Sequence, residues 1–142
     1  AYRHATTDPA CRALFDHLVA AHERSRRRAL DEVRLRAMLG RGDRSDDAWF
    51  AEIDGLLRGG AARYRVATIE PGQVADVVRD VASPPDVRIA AAAALVRFDA
   101  EYRPMVQRAA DACAQAELQA GLAAVSEAED EQAVKAALRR LR

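Results

Sequence analysis

The sequence has little of what most catalytic sites are built from. Its 142 residues include three histidines and two cysteines, and Cys11 and Cys113 lie too far apart to form a ligand spacing. Two small buried thiols in a reducing compartment are expected, and no metal or other cofactor is implied. Aromatic residues are few, with three Phe, three Tyr and one Trp. Lysine occurs once, at Lys135, beside an abundance of arginine that reads as the codon bias of a GC-rich genome. Basic and acidic residues balance at 22 each, so no global field draws the chain to nucleic acid or anionic lipid. No stretch approaches the roughly 20 apolar residues that span a bilayer, and there is no signal peptide. The chain opens AYRHATTDPACR without a methionine, so it is read as a piece of a longer protein. Gly40/Gly42 and Gly59/Gly60 lack the strand, lysine and Ser/Thr context of a phosphate loop.

Alanine is what the sequence has in quantity. It combines the highest helix propensity with little volume, which favours closely packed helices over a sheet. The expectation is an all-α fold of six or seven helices in a single domain spanning residues 1–142. Residues 1–45 form a long basic helix and loop, with ten Arg against six Asp/Glu, and residues 46–142 form a stack of helix pairs. Thr7/Asp8 and Pro9 open a helix over about 9–39. Its apolar spacing runs through Leu14, Leu18 and Ala21, weakens in HERSRRR, and resumes at Leu30, Val33, Ala37 and Met38. Gly40 stops it, and Ser45 or Asp46 caps the next helix, which places Trp49, Ile53, Leu56 and Leu57 on one face. Residues 61–69, AARYRVATI, are strand-like but have no pairing partner, so they are taken as an extended connection.

From Glu70 onward the pattern is helical. Val74, Val77, Val78 and Val81 share a face. In SPPDVRIAAAAAL, Ser83 is the expected cap, Pro84 the first helical residue and Asp86 the partner in a capping box. Val87, Ala91, Ala94, Leu95 and Phe98 then form one stripe whose small centre lets a neighbouring helix approach closely. Further helices are expected over 99–116, with Met105, Val106, Ala109, Ala112 and Cys113 facing inward, then over 116–129 and 130–142. The helix QVADVVRDVA, its proline turn and DVRIAAAAAL resemble one unit of the HEAT-like (armadillo-like) helical repeats. Val87, Arg88, Ala91, Ala94 and Leu95 occupy the repeat's Val-Arg, Ala and Ala-Leu positions. A second copy 31 residues on sets Val74 on Met105, Val78 on Ala109 and Val87 on Leu118, but puts Gln119 where Arg88 stands. The resemblance covers residues 70–125 and implies stacked antiparallel helix pairs. YRVATI and the helices after it also resemble helical C-terminal domains that follow membrane segments in large bacterial membrane proteins. That likeness implies a cytoplasmic domain of a membrane-tethered parent.

Three sets of residues could carry function. Arg24, Arg26, Arg27, Arg28, Arg34 and Arg36 could meet phosphates of an anionic lipid surface or, with no interleaved aromatics to stack bases, less favourably nucleic acid. They could equally be a solvated face paired in part with Glu23, Asp31 and Glu32. Phe50 is expected at a rim, available to a partner, while its neighbour Trp49 fills the core. Asp16, His17, His22 and Glu23 cluster in DHLVAAHE, but His17 and His22 are five apart and do not share a helical face, so a metal enzyme would need His4 or Cys11 as a further ligand. These residues point to a non-catalytic protein-interaction or scaffold module with a protein partner. A phosphate- or lipid-binding adaptor is the alternative, and a metal-dependent enzyme the least favoured.

Overall fold

The computed structural model describes residues 8–57 and 69–141, and their regular structure is helical throughout. Seven α-helices are formed among the described residues: α1 (Pro9–Leu39), α2 (Asp46–Gly55), α3 (Pro71–Arg79), α4 (Pro85–Phe98), α5 (Arg103–Asp111), α6 (Ala116–Glu127) and α7 (Glu131–Arg139). Residues 61–68 of the connection expected over 61–69, the stops at Gly59 and Gly60, and His4 lie outside the described residues. The chain divides into two units, Ala1–Val33 and Arg34–Arg142.

The first unit is the greater part of α1. Asp8 starts it by accepting the Ala10 N–H at 3.0 Å. The helix is unbroken through HERSRRR, yet between Pro9 and Val33 no side chain is buried. Its apolar residues therefore do not fill a core.

In the second unit the core begins with Leu35 and Leu39 at the end of α1. Trp49 donates its Nε1–H to the Leu39 carbonyl at 2.7 Å, satisfying one of the acceptors that a helix end leaves open. Arg44 donates to the carbonyls of Met38, at 2.9 Å, and Gly40, and pairs with Glu52, so one guanidinium ties down the 40–45 loop. Within that loop Gly42 takes a left-handed φ of 55°, open to glycine without strain. Ser45, not Asp46, caps α2, accepting from the Ala48 N–H at 3.2 Å.

At the centre of this unit is α4. Every residue from Val87 to Val96 is buried, and α2, α3, α6 and α7 all pack against the helix. The expected single stripe is thus corrected: Ala92 and Ala93 face protein just as Ala91 and Ala94 do, while Phe98, placed in the stripe, is exposed. The start also differs. The helix begins at Pro85 with Pro84 as its N-cap residue, because a residue before proline is held extended and Pro84 sits at ψ 149°. Ser83 instead donates its hydroxyl to Asp80 Oδ2 at 2.9 Å, and Asp86 accepts the Arg41 N–H at 3.2 Å, so no capping box forms between them.

Helix α3 ends at Arg79, where Asp80 Oδ1 accepts the Ala82 N–H at 2.9 Å in an Asx turn. That turn takes Val81 off the apolar face and leaves it 86% exposed, against the inward position that its spacing predicts. A 3₁₀ turn over Ala100–Tyr102 leads into α5, which buries Met105, Val106 and Ala110 and stops before Ala112 and Cys113. Helix α6 buries Leu118, Leu122 and Val125, and α7 is capped by Asp130, its carboxylate accepting the Ala133 N–H at 2.8 Å.

Candidate interaction surfaces

Helix α1 carries the longest exposed apolar surface among the described residues. Leu14, Phe15, Leu18, Val19, Leu30 and Val33 are between 41% and 67% exposed. At about 100° per residue these six fall within an arc of roughly 160°. Arg24, Arg27, Arg28 and Arg34 lie outside that arc, and Arg26 lies within it. All five arginines are exposed, and among the described residues none forms an ion pair, so the expected pairing with Glu23, Asp31 and Glu32 is not made.

Arg36 belongs elsewhere. Its Nη2 is 2.6 Å from Asp80 Oδ2, which ties the end of α1 to the α3–α4 turn within the second unit. The Ala82 N–H and the Ser83 hydroxyl hold the Asp80 carboxyl below its ordinary range; desolvation opposes them less strongly, and the charges of Arg36 and Arg88 add smaller lowering effects. Phe50 is likewise corrected. It is only 4% exposed, one helical position from Trp49 and still inside the core, and Lys135 Nζ stands 4.8 Å from the ring centroid. A ring so placed is not presented to a partner.

His17 and His22 are exposed on α1, as is Cys11. No group of three or more His, Cys, Asp or Glu side chains among the described residues is arranged to hold a metal ion. Nor is any described helix long and apolar enough to cross a membrane.

A groove that spacing alone does not reveal opens where α3, α4, α5 and α6 meet. It encloses about 670 Å³, within the range of small-molecule and peptide sites. Val81, Pro85, Met105, Ala109, Ala112 and Leu118 supply apolar wall, while Arg79, Arg88 and Arg108 supply charge, and among the described residues no acidic one lines it. Arg88 is 6% exposed, and its hydrogen bond among the described residues is from Nε to the Val78 carbonyl at 3.0 Å. An arginine inside an alanine-rich run was the one sequence signal of this feature. Arg79 and Arg108 are brought to it from different helix ends by the packing of α3 and α5.

No protein-family model, curated protein or solved structure matches this chain.

Proposed function

We propose that this chain is a non-catalytic interaction or scaffold module whose main docking face is the apolar side of α1. The observation that carries this is the exposure of six large apolar side chains on one face of a continuous helix. Phe15 and Leu18, Phe15 and Val19, and Leu30 and Val33 are three or four residues apart, the spacing by which one helix anchors another. The occupant is an amphipathic partner helix. The close association of α3 with α4 and of α5 with α6 supports a HEAT-like pair stack as the scaffold, here within a cytoplasmic part of a membrane-tethered bacterial protein. A second reading, an adaptor for an anionic membrane surface, is favoured by the unpaired arginines Arg24, Arg26, Arg27 and Arg28.

The test is capture of partners by the full chain, mapped by hydrogen exchange. Protection confined to residues 8–33, and lost in a Leu14→Ser/Leu18→Ser variant, is the expected result. Capture that ignores those substitutions overturns the proposal. Binding to phosphatidylserine vesicles that disappears on reversing the charge of Arg26, Arg27 and Arg28 transfers the face to the membrane reading.

A further inference from the structure

We propose that the groove between α3, α4, α5 and α6 is a second binding site, one that takes an acidic peptide segment with an apolar residue beside the acid. The inference starts from charge. Three guanidinium groups border the groove and, among the described residues, no carboxylate lines it, so a ligand that brings negative charge meets a positive rim. The carboxylates near it are already engaged. Asp76 is 3.5 Å from Arg79 on the outer side of α3, and Asp80 is held by Arg36, Ser83 and the Ala82 N–H.

Arg88 makes the cluster more than a surface accident. It is more than nine-tenths buried, and one of its five N–H donors is used, by the Val78 carbonyl. The guanidinium is planar, and its terminal nitrogens match the two oxygens of a carboxylate. Asp80 feels the Arg88 charge, but the terminal nitrogens of Arg88 make no hydrogen bond among the described residues and can meet a carboxylate from outside the chain. Arg79 and Arg108 flank it on exposed helix ends, positioned to meet further acidic groups.

The apolar wall specifies the rest of the ligand. Met105 and Leu118 form its floor and Val81, 86% exposed, a projecting edge, so burying an apolar side chain there removes water from both surfaces. A free anion would leave this wall wet. A peptide is named as occupant because the chain is read as a protein-interaction module, and only that choice rests on the earlier proposal.

The experiment uses the full chain and a fluorescently labelled, end-blocked peptide with Leu-Glu-Glu-Leu at its centre in a Gly/Ser background. Controls replace Glu with Lys, or Leu with Ser, and inorganic phosphate is added as competitor. The expected result is saturable binding of the Leu-Glu-Glu-Leu peptide, weaker binding of the serine control and none of the lysine control. Arg79→Glu and Arg108→Glu should each weaken binding about tenfold or more, as losing a charged hydrogen bond implies. Both sites are exposed, and unchanged thermal melts will show that the variants fold. No binding, binding unaffected by both charge reversals, or complete displacement by millimolar phosphate overturns the proposal. The Leu14→Ser/Leu18→Ser variant should keep its full affinity for the peptide, so failure of the α1 face and failure of the groove are read separately.

Discussion

Replacing Gly121 by alanine should destabilise the protein even though alanine is the better helix former. Gly121 lies in α6, and a Cβ built on it falls 2.5 Å from Ile89 Cδ1 and 3.7 Å from Ile89 Cγ1. Carbon atoms pack best at about 3.5–4.0 Å, so the first contact is short by about 1 Å or more. Ile89 is completely buried, so its terminal methyl can give way only by a rotamer change inside the core. Overpacking of this kind costs about 1–3 kcal/mol, against a helix-propensity gain of about 0.8–1.0 kcal/mol. The net loss is then on the order of 1 kcal/mol, or about 4 °C in Tm for a unit of this size. Ile89→Val removes the offending Cδ1 at its own cost of about 0.5–1.5 kcal/mol. In that background Gly121→Ala should turn stabilising. A double-mutant cycle by urea denaturation therefore gives a favourable coupling of about 1–3 kcal/mol. Additive effects within about 0.5 kcal/mol, or a single Gly121→Ala variant more stable than wild type, would refute the close approach of α6 to α4.

The Asp80 carboxyl titrates lower in the folded chain than in the unfolded one, so its stabilising effect is complete above the unfolded value of about 3.9 and is lost as pH falls through the folded value. Chemical denaturation at a series of pH values should show the advantage of wild type over Asp80→Asn shrinking below about pH 4; an advantage that grows on acidification contradicts the assigned bonds. Phe50→Ala should cost about 3–5 kcal/mol, as for a buried aromatic, measured by denaturant midpoint. A fully stable Phe50→Ala variant with altered partner capture would return Phe50 to the surface.

Helix type and order were legible in the sequence because they rest on local chemistry. Pro9 and Ser45 start helices where a fixed φ or a capping side chain requires, and Gly40 follows the end of α1 as expected. Spacing also marked Trp49, Ile53, Val74 and Val78 as core. What spacing cannot tell is whether an apolar stripe meets its own chain. The stripe of α1 obeys the same rule as that of α2, but one is covered and the other open. Val81 and Ser83 were misplaced because Asp80 gathers the Ala82 N–H and the Ser83 hydroxyl into a turn, a local competition that a periodic template ignores. The arginine groove was out of reach for a different reason: Arg79, Arg88 and Arg108 become neighbours only when separate helices pack.

The burial of α4 on all sides has a consequence for how the chain can vary. A helix at a surface tolerates change on its outward face, and its tolerance rises and falls with the helical period. From Val87 to Val96 there is no such rhythm, since each direction away from the axis meets another helix. Alanine there is a spacing rule shared by four neighbours at once, and lengthening any one side chain would press on the helix it faces. The segment with the plainest composition is therefore the one with the least freedom to drift, while the arginine-rich turns of α1 have the most.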